Sequence, residues 1–204
     1  IPVPSIVKNL ADDHYRHLLR YPNLLQGIVQ QLSSEVIMIL AFEGDEKTAE
    51  AAERQGLSIC RAERGRDEGE RPGLHWRDHR YSVSFKMPQL FEKDCFVDTI
   101  EVATTWDRLM GLYEGVRKTL TRGALVMAHF SHAYPEGCSI YFTIAVRGVS
   151  PGEDIKLYNS LWNDAMETCL TLGATISHHH GIGLLKAKFL PRELGGAMDF
   201  YREI

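Results

Sequence analysis

Near the end of the chain, Ser177-His178-His179-His180-Gly181-Ile182-Gly183 sets three imidazoles side by side with two glycines close behind. Imidazole is the side chain whose ordinary charge change falls between about pH 5 and 8, so such a run suits proton transfer, hydrogen bonding or metal ligation. The run is internal and is not an expression tag. Its glycines let the backbone turn sharply or let a large ligand approach. A helical pattern stops just upstream at Leu172-Gly173, where glycine is the usual stop signal. The spacing therefore predicts a loop held between two helices, and loops on a rigid frame are where chemistry concentrates.

Two more imidazoles, His129 and His132, bracket the end of a predicted strand, and Tyr141 lies in the next one. With His178, His179 and His180 they make five histidines able to converge. There is no H-E-x-x-H, and no carboxylate falls at a ligand-like offset, so no metal is expected and hydrogen-bonding or acid–base roles are. His75 and His79 lie beside the charged stretch 61–73 and are expected on the surface. Gly181-Ile182-Gly183 follows a helix and a loop rather than a strand, so neither a Rossmann fingerprint nor a P-loop is present. No nucleophile elbow and no activated cysteine occur.

The elements that must hold these residues follow from periodicity. Val36 to Phe42 is a continuous apolar run and reads as a strand buried on both faces, within 35–43. Lys47 to Gln55 reads as a helix ended by Gly56, and 61–73 as an exposed loop. A helix is also expected where Leu24, Leu25, Ile28, Val29 and Leu32 recur. Further strands are predicted over 97–104, 124–131 and 139–147. Between the first two of these, Thr104 or Thr105 caps a helix whose apolar stripe is Leu109, Leu112, Val116 and Leu120. Ser150-Pro151 opens a long helix with Leu157, Leu161, Ala165, Thr168 and Leu172 on one side. Strands and helices in this order predict an α+β fold, a ferredoxin-like antiparallel sheet with helices on one face. In the strand around Tyr141, side chains alternate. Ile140, Phe142, Ile144 and Val146 face the helices, while Tyr141, Thr143 and Ala145 floor the other face. A half-buried sheet tyrosine with its hydroxyl in water fits that position as well as a catalytic one does.

The 204 residues suffice for one domain. A net charge of −4 argues against a nucleic-acid groove or a polybasic membrane anchor. No apolar run reaches membrane-spanning length. Four scattered cysteines without a C-x-x-C pair suggest a reducing compartment, such as the cytoplasm. The chain begins with Ile1 and ends inside an amphipathic pattern at Ala197–Tyr201, so a fragment of a longer protein is expected.

Five segments occur together and in order: Trp76-Arg77, Asp98-Thr-Ile-Glu-Val-Ala-Thr-Thr-Trp-Asp-Arg108, His129-Phe-Ser-His-Ala-Tyr134, Cys138-Ser-Ile-Tyr-Phe142, and the triple histidine with Gly-Ile-Gly. Over 35–204 the chain resembles the C-terminal part of the FAD-linked oxidase superfamily of the vanillyl-alcohol-oxidase type. Within that superfamily it resembles alkylglycerone-phosphate synthase (alkyldihydroxyacetonephosphate synthase) and its bacterial relatives. The resemblance implies that 1–204 is a single cap domain over the flavin ring, with FAD held mainly by an absent N-terminal domain. It implies catalytic roles for Tyr141, His179 and His180, with Tyr141 and His179 in proton transfer and His180 lining the same pocket. It sets His178, Gly181 and Gly183 on the cofactor side, and Lys86, His129 and His132 on the substrate side. The loop 177–183 is then expected to be exposed or poorly ordered in this chain. The implied chemistry is exchange of an acyl for an alkyl group without net redox change.

One departure bears on the substrate. Where the family carries an arginine, this chain has Met87 with Lys86 beside it, and lysine lacks the planar two-pronged grip on a phosphate. Oxidation of a hydroxy acid or alcohol by an FAD-linked oxidoreductase therefore stays open, as does a non-catalytic ferredoxin-like binding module. A small-molecule or lipid-like substrate is expected as the partner, with nucleic acid excluded. A homodimer is compatible with the sequence. The expected location is cytoplasmic, or peroxisomal for a eukaryotic ether-lipid enzyme.

Overall fold

Alternation of side chains builds the centre of this protein. The computed structural model describes residues 36–81, 91, 95–147, 150 and 152–203. Three strands, β1 (Cys95–Thr105), β2 (Leu125–Ala133) and β3 (Gly137–Arg147), form an antiparallel sheet in the order β1-β3-β2. Helix α3 (Leu109–Leu120) joins β1 to β2, and α4 (Glu153–Thr171) follows β3. After α4, Thr175 pairs with Ala103 on the far edge of β1 as an isolated antiparallel bridge. The path is thus β-α-β-β-α with a one-residue remnant of a sixth element. That is the ferredoxin-like arrangement expected from the sequence.

The predicted faces are the observed ones. Ile140, Phe142, Ile144 and Val146 of β3 are buried with Ile100 and Val102 of β1 and Val126 of β2. The stripe Leu109, Leu112, Val116 and Leu120 of α3 covers them and is itself buried. The stripe of α4 is rotated from its expectation. Its buried members are Leu161, Trp162, Ala165, Met166 and Cys169, while Leu157, Thr168 and Leu172 are only partly covered. The cause is a polar anchor. Asp98 on the helix-facing side of β1 accepts from the Tyr158 hydroxyl at 2.6 Å and from Trp162 Nε1 at 3.1 Å, one turn apart on α4. Burial, then this carboxylate, push the Tyr158 phenol well above its ordinary value. Replacing Asp98 with alanine leaves both donors unsatisfied and should destabilise the chain by about 1–3 kcal/mol per donor stranded, read as a lower urea midpoint.

Several expectations are corrected. Residues 36–43 form no strand, and the run is not buried: Val36 is 89% and Met38 62% exposed. Among the described residues no strand of the sheet pairs with them. Instead the Phe42 ring and Leu40 lie against Gly56, and Ile39 against Gly73. Gly56 lies inside α1 (Glu46–Ala62) rather than ending it, and its missing Cβ, which would come within 2.9 Å of the Phe42 ring, is what lets that ring pack there. The charged stretch is a loop only at 63–70, and Pro72 then sits in the first turn of α2 (Arg71–His79). Neither Thr104 nor Thr105 caps α3, since both belong to β1; the preceding turn closes through Arg108 N–H donating to the Thr105 carbonyl at 3.1 Å. The long helix starts at Glu153, whose N–H reaches back to the Ser150 carbonyl at 3.0 Å. The helix expected over 24–32 lies outside the described residues.

Gly173 ends α4's cap as expected. Its φ is +68°, and it and Ala174 return N–H groups to the Leu170 and Cys169 carbonyls. The histidine loop follows, then the short α5 (Gly183–Lys186), α6 (Leu190–Leu194) and α7 (Ala197–Glu203). Among the described residues no helix is long and apolar enough to cross a membrane.

Candidate active site

The register of the sheet decides which polar side chains meet. Glu101 pairs with Tyr141, and Tyr141 pairs with His129, so β1, β3 and β2 present the three in one row on the face away from the helices. A register shift between Phe130 and Ala133 then re-aims His132 toward β3. Its N–H donates to Ser139 Oγ at 3.2 Å. The Ala103–Thr175 bridge carries the chain after α4 back over this row, and residues 177–180 come to lie across it.

Five histidines and Tyr141 converge there, as the sequence suggested. The Tyr141 hydroxyl is 2.5 Å from His179 Nε2. The Tyr141 ring is flanked by stacked His180, 5.0 Å between centroids, and by His129 at 5.8 Å. His132 lies 4.8 Å from the His179 ring and 5.5 Å from that of His178, and Tyr134 flanks His178 at 5.4 Å. All three histidines of the run are exposed, which meets the expectation of an exposed loop. Gly181 and Gly183 have φ of +77° and +53°, and a Cβ at either would meet nothing within 4 Å, so their backbone lies open beside the cluster. Lys86 lies outside the described residues, as does Met87. His75 and His79 are exposed on α2 and stack on each other.

Burial, and then the neighbouring His132, hold His129 below the ordinary imidazole value. Burial does the same for His180 and outweighs the upward pull of Glu101. Both rings are therefore neutral near pH 7. Donor nitrogens of His132, His178 and His179 fall within 4.8 Å of one another, a spacing an ion can bridge, but His178 Nδ1 and His179 Nδ1 already contact each other at 2.9 Å.

The residue the sequence reading passed over is Glu101. Its side chain is fully buried. Its Oε1 accepts from His179 N–H at 3.0 Å, and its Oε2 accepts from His178 N–H at 3.1 Å and His180 N–H at 3.3 Å. The loop is thus wrapped backbone-first around one carboxylate. Buried Lys186 lies 4.0 Å from Oε2 and donates to the Glu101 carbonyl at 3.1 Å. Ser177 Oγ, 3.4 Å from Oε2, donates to the Gly181 carbonyl at 3.0 Å. Burial pushes the Glu101 carboxyl up, but the three N–H donors and the Lys186 charge outweigh it, and the group sits below its ordinary value. The sequence held a hint of burial and nothing of the partners. A carboxylate between Ile100 and Val102, mid-strand in a chain of this kind, needs partners wherever it is buried.

Chemically, the row offers a phenol and an imidazole in contact, two neutral imidazoles beside them, and an open face above. The family described as FAD linked oxidases, C-terminal domain, matches residues 13–204. Alkyldihydroxyacetonephosphate synthases from Trypanosoma brucei brucei and Dictyostelium discoideum are 23% and 24% identical over 176 residues. These matches cover 82% of this chain and 28% and 29% of the relatives, so the chain spans under a third of their length. An uncharacterized FAD-linked oxidoreductase, YgcU of Escherichia coli K12, is 29% identical over 134 residues, covering 61% of this chain and 27% of that protein. A solved structure of alkyldihydroxyacetonephosphate synthase overlays on 75% of this chain and 30% of its own with a TM-score of 0.54 at 22% identity, which shows a shared fold.

Proposed function

Since this chain belongs to the family of FAD-linked oxidase C-terminal domains, we propose that it is the substrate-side cap of an FAD enzyme, with Tyr141 and His179 as its proton-transfer pair. The single observation that carries this is the 2.5 Å contact between the Tyr141 hydroxyl and His179 Nε2 on an exposed face. When bound, FAD supplies an electron-accepting ring at which the substrate is oxidised or has its groups exchanged. The exposed rings of His129 and His180 on either side of half-buried Tyr141, beside the open backbone of Gly181 and Gly183, suit a planar ring. The groups that cradle the FAD phosphates are assigned to a separate FAD-binding domain. His129 and His132 border the pair and are assigned to the substrate. The reading places no structural metal at the cluster, because Glu101 already holds the loop through its backbone.

The reaction we propose is exchange of an acyl for an alkyl group, as in the alkyldihydroxyacetonephosphate synthases to which the chain is similar. Such an exchange needs a proton moved to or from a hydroxyl or carbonyl oxygen, and a phenol hydrogen-bonded to an imidazole serves that. The second reading is oxidation of a hydroxy acid or alcohol; similarity to an FAD-linked oxidoreductase, YgcU, supports oxidation as the reaction type, and Met87 stands where the synthase resemblance implies an arginine. Adding candidate substrates to flavin-loaded protein carrying this chain separates the two. Exchange without an electron acceptor and without an oxidised product supports the first. Bleaching of the flavin with release of substrate oxidised by two electrons replaces it with the second.

The chain alone should bind FAD weakly. Among the described residues no glycine-rich loop joins a strand to a helix long enough to cradle the pyrophosphate, since α5, which Gly181 and Gly183 open, is only four residues long. Titration of this chain into free FAD should leave flavin fluorescence unchanged at micromolar concentrations. Stoichiometric quenching there would contradict the assignment of phosphate binding to another domain.

A further inference from the structure

We infer that Glu101 is the positioning residue of the Tyr141–His179 pair, setting the proton of His179 on Nδ1 and leaving Nε2 to accept from the Tyr141 hydroxyl. This rests on the proton-transfer reading above and deepens it.

Two facts carry the inference. The first is that the carboxylate holds the loop by its backbone: N–H groups of three consecutive residues, His178, His179 and His180, point at one buried Glu101 side chain. The position of the His179 ring is therefore tied to a group on β1, the strand paired with the one that carries Tyr141. The second concerns the rings. Oε1 of Glu101 lies 3.1 Å from His179 Nδ1 and 3.5 Å from His178 Nδ1, and those two nitrogens are 2.9 Å apart. Between neutral rings, that contact holds a single proton. A bare nitrogen lone pair at 3.1 Å from a carboxylate oxygen is repelled, whereas an N–H is attracted, and the attraction grows as the distance shortens. The shared proton therefore belongs to His179, the nearer ring. His178 then accepts on Nδ1 and carries its own proton on Nε2. With Nδ1 protonated, His179 Nε2 is an acceptor, and the 2.5 Å contact runs from the Tyr141 hydroxyl to it. In that state His179 is poised as the base for the phenol. In the opposite tautomer it would be a donor to the phenol oxygen and could not take its proton.

The test needs neither flavin nor substrate. In the full chain labelled with ¹⁵N, long-range proton–nitrogen correlation at a pH where the imidazoles are neutral reads which nitrogen of each ring is protonated. The signals are assigned to His179 by their loss in His179→Gln. The expected result is an N–H signal at Nδ1 and a bare-nitrogen signal at Nε2. Glu101→Gln should reverse this. The amide oxygen prefers the Oε2 position, where two backbone N–H groups point, which turns the amide NH₂ toward His179 Nδ1 and makes that nitrogen the acceptor. A wild-type His179 protonated on Nε2 overturns the inference, and so does a folded Glu101→Gln chain with the tautomer unchanged. Should Glu101→Gln fail to fold, the wild-type tautomer alone decides. The acid–base reading is tested separately by turnover of a Tyr141 variant, so either can fail while the other stands.

Discussion

Replacing Tyr141 with phenylalanine should cut turnover of flavin-loaded protein carrying this chain by about 10²–10⁴-fold, the usual contribution of a positioned proton-transfer group. The substitution deletes one hydroxyl and nothing else. The ring keeps its stacking on His180 and His129, and the neighbours on β3 that build the core, Ile140 and Phe142, point to the opposite face. The unfolding free energy should therefore fall by no more than about 0.5–1.5 kcal/mol, the worth of the one hydrogen bond lost to His179. A loss of rate with so small a change in stability is the combination that marks chemistry. His179→Ala should produce a rate loss of the same order, and the double variant should lose little more than either alone, because the two groups act as one unit. Normal turnover in Tyr141→Phe would reduce the histidine run to a structural loop and leave only the shared architecture.

The largest effect on stability is expected at Glu101. Glu101→Ala strands three backbone N–H groups of the histidine loop and leaves the buried Lys186 ammonium without the carboxylate 4.0 Å away. Breaking a buried pair by removing one partner costs about 3–5 kcal/mol. That should appear as a large drop in the urea midpoint at pH 7, and as loss of protection of the 178–180 amides in hydrogen exchange. The pH dependence has a definite sign. The Glu101 carboxyl lies below its ordinary value of 4.5 in the folded chain, because the His178, His179 and His180 N–H groups and Lys186 outweigh burial. The unfolded chain therefore takes up this proton first. The stabilisation is complete above pH 4.5 and is lost as the pH falls through the lower, folded value. The gap between wild type and Glu101→Ala should accordingly be constant from pH 7 down to that range and then narrow. A gap that stays constant into strong acid would mean that Glu101 acts by packing alone.

Much of this protein was legible in its residue order. Period-two alternation in Ile140–Val146 identified both the core-facing side and the face that carries Tyr141, because neighbouring strand residues must point to opposite sides. The stripe of α3 was equally plain, since four leucines and valines at helical spacing have one way to be buried. The triple histidine with its glycines marked the loop, and Gly173 its start. Two things were not legible, for related reasons. The apolar run at 36–42 looks the same whether it pairs as a strand or lies extended against α1 and α2, and only the choice of neighbour separates the two. Glu101 looked like one polar residue in a strand. Its role depends on a contact across 77 residues of chain to His178, which no local pattern records. Residue types and periodicity specify which side chains are available and which face they occupy. The register of β1 against β3, and the return of the chain over Ala103, decide that a carboxylate, a phenol and an imidazole meet. Those long-range pairings are set by the packing of the whole sheet and its helices, and by no single segment.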